Sequence, residues 1–122
     1  MTLDQVAAKV RAHALAYPEA WEDFPWDESV IKVRKKVFVF LGHRDDPDVA
    51  FGLGVKLPES KDFALTLPYT EPTGYGLGKA GWVSATFTKG MKADLDLLLE
   101  WVDESYRAVA PKTLVKQLDA GP

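Results

Sequence analysis

The chain has 122 residues, of which 47% are hydrophobic and 27% charged, the balance of an ordinary globular domain that can bury one core without staples. A net charge of −3, from 15 basic and 18 acidic residues, excludes a global positive field that would draw the chain onto a polyanion. It contains no cysteine, so no disulfide framework is possible, and no apolar run approaches the ~18 residues of a membrane-spanning helix.

Thr2 followed by Gln5 is a capping-box pattern, and Leu3, Val6, Ala7, Val10 and Ala14 recur behind it at helical spacing. A helix is predicted there, ending at Tyr17-Pro18 because the residue before proline is pushed out of the α region. Residues 19–28 interleave Trp21, Phe24 and Trp26 with acids and Pro25, and read as an ordered loop pinned by aromatics. Two β-branched runs, 30–34 and 37–41, flank Lys35-Lys36 as a hairpin or a tight bend. After a turn at 42–48, strict alternation places Phe51, Leu53, Val55 and Leu57 on a core face and Gly52, Gly54 and Lys56 on an open one.

Residues 58–67 open with charges suited to a first helical turn and are read as a short helix. Residues 68–81, with two prolines and four glycines, are read as a long loop. A strand follows at 82–87, then a long amphipathic helix carrying Leu95, Leu98, Leu99, Val102, Tyr106 and Val109, and a short helical piece at 112–118. Short turns between strands imply antiparallel pairing. The expected fold is therefore one α+β domain over residues 1–122, an antiparallel sheet with N- and C-terminal helices packed on one face. The absence of cysteine and of a recognisable leader points to the cytoplasm.

Few residues carry chemistry. Gly76, Gly78 and Gly81 match the spacing of a dinucleotide fingerprint, but that fingerprint follows a strand and opens a helix, whereas this run leads into a strand. The glycines instead suit a loop that needs positive φ angles. His43 with Asp45, Asp46 and Asp48 lacks the glycine and terminal glutamate of a calcium loop and reads as a solvated turn. The acids between Glu19 and Glu28 have no nucleophile or positioned histidine beside them. Ser105 lies outside any nucleophile-elbow motif and reads as a small residue at a packing contact. No catalytic residue, metal site or cofactor is expected, so the chain is read as non-enzymatic.

Two sets of residues remain. Lys32, Arg34, Lys35 and Lys36 on the hairpin could contact phosphates of DNA, or serve as a solvated turn whose charges discourage edge pairing. Lys56, Tyr75, Lys79 and Trp82 place aromatics beside lysines near the open sheet face, a composition suited to an anion, a base or a protein partner, while Trp82 could equally cover the core edge.

Tyr17-Pro18, Glu22 with Phe24-Pro25-Trp26, Lys32-Val33, Lys36-Val37-Phe38, Lys56 with Pro58-Glu59, Gly74-Tyr75, Trp82-Val83 and Asp103-Glu104-Ser105-Tyr106 together resemble the MmcQ/YjbR family over nearly the whole chain. The resemblance implies a compact α+β fold of the frataxin (CyaY-like) type and a predicted DNA-binding role with a double-wing arrangement, and it brings no catalytic residues. The sequence departs from that role in its negative charge and in lacking a strongly basic tail after Tyr106. The expected function is a protein-interaction or small-ligand module, with DNA binding through the hairpin as the alternative.

Overall fold

The computed structural model describes residues 1–25, 28–42 and 47–121. The first helix, α1 (Leu3–Leu15), starts as the capping box requires: the Gln5 amide donates to Thr2 Oγ1 at 3.1 Å and the Thr2 amide to Gln5 Oε1 at 2.8 Å. Six strands follow, β1 (Ala20–Asp23), β2 (Ser29–Val33), β3 (Lys36–Gly42), β4 (Val49–Lys56), β5 (Thr70–Pro72) and β6 (Trp82–Thr88). They form one antiparallel sheet in the order β1-β2-β3-β4-β6-β5. A four-residue helix, α2 (Lys61–Ala64), precedes β5, and a 3₁₀ turn (Leu77–Ala80) precedes β6. Helices α3 (Leu95–Val109) and α4 (Lys112–Ala120) complete the chain. Among the described residues no helix is long and apolar enough to cross a membrane.

Helices α1 and α3 contact each other and cover the same side of the central strands. Val6, Val10 and Ala14 from α1 meet Leu98, Trp101, Val102 and Tyr106 from α3, and Phe51, Leu53 and Val55 from β4 close the core beneath them. Asp94 caps α3 by accepting from the Leu97 amide at 3.2 Å, and Ala110, extended before Pro111, ends it.

Two segments differ from expectation. The stretch read as a loop at 19–28 contains β1, whose inward residues are Ala20 and Glu22; a charged residue at an inward position hides the alternation. Glu22 lies opposite the buried Ile31 and is held by Arg11 of α1 and by the Ser29 hydroxyl. The stretch read as a loop at 68–81 contains β5, an edge strand of three residues. Pro72 is tolerated there because an edge has ladder positions that need no amide. The turn at 42–48, including His43, Asp45 and Asp46, lies largely outside the described residues.

The Arg11 hydrogen bond, with help from Ser29, holds the Glu22 carboxyl below its ordinary value of 4.5 despite partial burial. A depressed folded-state pKa stabilises the fold above the unfolded value, and that contribution is lost as pH falls through the folded one. Glu22→Gln is therefore expected to lower the urea midpoint at pH 7 and to make its decline below pH ~4.5 shallower than in the parent. Equal acid sensitivity in both proteins would remove this pair as a contributor.

The ladder between β2 and β3 slips at Ile31/Lys32: Ile31 faces Val39 while Lys32 faces Val37, leaving Phe38 as the extra residue of a bulge. Phe38 and Val39 are both fully buried as a result. Phe38 stands edge-on to Tyr17 and Tyr106, with centroids at 6.0 and 5.2 Å, while the two tyrosines stack at 4.6 Å. The hydroxyl of Tyr106 donates to the Pro18 carbonyl at 2.9 Å.

Ser105 Oγ donates to the displaced Phe38 carbonyl at 2.5 Å and itself accepts from the Lys56 amide at 2.8 Å. A buried hydroxyl from α3 thus fills the gap between β3 and β4 where their ladder stops. Ser105 is a packing residue, as expected, and also a hydrogen-bond bridge.

Candidate functional site

The outer face of the sheet is built around an absence. Gly54 on β4 sits between Phe40 on β3 and Ser84 on β6. With no side chain in the way, the Phe40 ring crosses β4 and meets Trp82 edge-on, centroids 5.3 Å apart. A Cβ at position 54 would lie 3.2 Å from that of Phe40. The face expected to be open is therefore covered here, and Trp82 retains only 8% of its exposure.

Where this aromatic floor reaches the end of the sheet, a cleft of about 320 Å³ opens, lined by Lys36, Val37, Phe40, Lys56, Leu77 and Trp82 and flanked by the last turn of α3. Lys56 is the cross-strand neighbour of Trp82, and Lys36 comes from the root of the β2–β3 hairpin. Among the described residues neither lysine has an ion-pair partner. Two cations thus face an aromatic and aliphatic floor, which suits an anion with an apolar portion.

The residues singled out in the sequence are divided by the structure. Lys56 and Trp82 meet in the cleft. Tyr75 is fully exposed at φ +59° in the turn before the 3₁₀ segment, and Lys79 is exposed outside the cleft lining. The 3₁₀ segment contributes Leu77 instead. Gly76 and Gly81 adopt positive φ, and a Cβ at Gly78 would strike Pro72 at 2.8 Å, so these glycines serve the β5–β6 connection.

The hairpin cations are divided too. Lys32 Nζ pairs with Asp23 at 2.7 Å and lies 5.1 Å from the Trp21 ring centroid. Arg34 pairs with Glu19 at 3.2 Å, and its carbonyl accepts from the Trp21 indole at 2.7 Å. Only Lys35 and Lys36 of the four have no ion pair among the described residues. The missed strand β1 and the residue just before it supply the neutralising acids.

Sequence reasoning also missed a hollow of about 550 Å³ among α1, α3 and α4. There Tyr17 donates to Asp103 at 2.8 Å, and His13 Nε2 lies 3.2 Å from the same hydroxyl. Since the phenol proton goes to Asp103, Nε2 of His13 is the donor in the second bond. Burial and the Asp103 hydrogen bond push the Tyr17 phenol pKa well above its ordinary value. Arg107 completes the cluster, bonded to Asp103 at 2.7 Å and Asp119 at 2.8 Å. The pairing of Tyr17 with Asp103, 86 positions apart, leaves no periodic signal in the sequence. Among the described residues no group of three or more His, Cys, Asp or Glu is placed to hold a metal.

Sheet, helices and connectivity define an α+β domain with its helical layer on one face and a lysine-lined cleft at the end of the strands. Residues 15–108 match the YjbR family model, and the chain belongs to the YjbR family. The crystal structure of Deinococcus radiodurans protein DR2400, a DUF419 domain, is similar: it is 28% identical, with a TM-score of 0.66 over 87% of this chain and 79% of that one. No curated protein matches the sequence.

Proposed function

We propose that this YjbR-family domain is a non-catalytic module that binds a small anion bearing an aromatic or apolar group in the cleft between Lys36, Lys56 and Trp82. The observation that carries it is the pair of lysines that have no acidic partner among the described residues, beside the Phe40–Trp82 floor. A charge-assisted hydrogen bond from each ammonium would fix the anionic end, and the apolar end would cover Phe40, Leu77 and Trp82. The volume admits a fragment rather than a dinucleotide, at the small end of the range for ligand sites.

Phenyl phosphate is a suitable probe, with inorganic phosphate and phenol as its two halves. Calorimetry is expected to show saturable binding of phenyl phosphate, weaker binding of each half, and at least about a tenfold loss in Lys36→Ala/Lys56→Ala. Binding unchanged in the double variant, or no saturation with the probe, would place the site elsewhere or remove it.

The exposed hairpin tip supports a second reading, contact with DNA phosphates through Lys35 and Lys36, with Lys56 nearby. With Lys32 and Arg34 already paired, at most about three phosphates are neutralised, so log K should fall with log salt no more steeply than about −3. The net charge of −3 opposes such binding at low salt. Fluorescence anisotropy with a random duplex is expected to give weak or no binding; a submicromolar, salt-sensitive affinity lost in Lys35→Ala/Lys36→Ala would favour DNA over the small anion.

A further inference from the structure

The hollow among α1, α3 and α4 lies apart from the lysine cleft and has the opposite chemistry. Ala16, Leu99 and Leu118 form apolar walls, while His13, Tyr17, Glu100 and Asp103 supply its polar groups. Arg107, which reaches this set through Asp103, is committed to Asp103 and Asp119, and no lysine or arginine lines the hollow. The Tyr17 hydroxyl is occupied by Asp103 and His13. Glu100, exposed on α3, has neither an ion-pair nor a hydrogen-bond partner among the described residues.

These assignments decide the sign of a ligand. An anion would meet two carboxylates with no lysine or arginine free in the lining to receive it. A neutral apolar molecule would strip water from Glu100 without replacing it, which burial of a charge makes unfavourable. A cation would pair with Glu100, and the carbonyl end of α1, whose last turn forms part of the wall, adds potential of the same sign. We infer that this hollow is a second ligand site, one that takes a small organic ammonium ion with its charge at Glu100 and its apolar body against Ala16, Leu99 and Leu118. Its volume of about 550 Å³ falls within the range of small-molecule sites.

A matched pair of probes tests the sign directly: 2-phenylethylammonium and 3-phenylpropionate share a ring and a short linker and differ in charge. The test is a ¹⁵N-correlated NMR titration of the full chain at pH 7.5. The ammonium is expected to give saturable shifts confined to amides around Ala16, Leu99, Glu100 and Leu118, and the carboxylate none there. Glu100→Gln, a near-isosteric change at an exposed position, should weaken the ammonium at least about fivefold, with amide shifts elsewhere in the chain unchanged. Lys56→Ala should leave it unchanged, which separates this site from the lysine cleft. Binding of the carboxylate in the hollow, equal affinity in Glu100→Gln, or no saturation by the ammonium would overturn the assignment.

Discussion

Replacing Tyr106 by alanine is expected to cost about 3–5 kcal/mol in urea unfolding, a large share of the ~5–15 kcal/mol that holds a domain of this size together. The residue is fully buried on α3, stacked on Tyr17 and edge-on to Phe38, so its ring joins the end of α1, the β3 bulge and α3. Truncation removes that contact and leaves a cavity that three rigid elements cannot close. Tyr106→Phe separates the ring from its hydroxyl: it keeps the stack and loses only the hydrogen bond to the Pro18 carbonyl, so about 0.5–1.5 kcal/mol is expected. A loss below ~1 kcal/mol for the alanine variant would show that the aromatic cluster does not hold the layers together.

Ser105→Ala is expected to cost about 2–4 kcal/mol although it removes a single oxygen. The hydroxyl is the shared partner of the Phe38 carbonyl and the Lys56 amide, and each group left unpaired in a buried setting costs ~1–3 kcal/mol. The same change loosens the end of β4 that presents the Lys56 side chain. Weaker phenyl phosphate binding at temperatures where Ser105→Ala remains folded is therefore expected alongside the loss in unfolding free energy. An effect below ~0.5 kcal/mol would mean that the two strands find a direct bond or a water once the hydroxyl is gone.

Much of the fold was legible because its largest elements obey their periods. Leu98, Val102 and Tyr106 on α3, and Phe51, Leu53 and Val55 on β4, are buried where spacing places them. The capping box at Thr2 forms as read. Strand β1 was illegible because its inward Glu22 is satisfied by Arg11 from another element, and that compensation is visible only in three dimensions. The same blindness affected the hairpin. Four clustered cations suggest a phosphate surface until Asp23 and Glu19 are seen beside Lys32 and Arg34. Of the residues lining the cleft, strand alternation singled out Lys56, the neighbouring glycine loop Trp82, and the hairpin's charge Lys36. Phe40 was not singled out, because its reach across β4 depends on the residue it passes over.

That dependence has an evolutionary consequence. The shape of the cleft floor is encoded at Gly54, a position outside the cleft lining and without charge. A methyl group there would meet the Phe40 Cβ at 3.2 Å and its ring at 3.3 Å, so the ring that packs on Trp82 would have to shift by a few tenths of an ångström, while neither lysine is touched. The charge of the cleft and the shape of its floor can thus change independently, one through the lysines at the strand ends and the other through a single glycine beneath an aromatic ring.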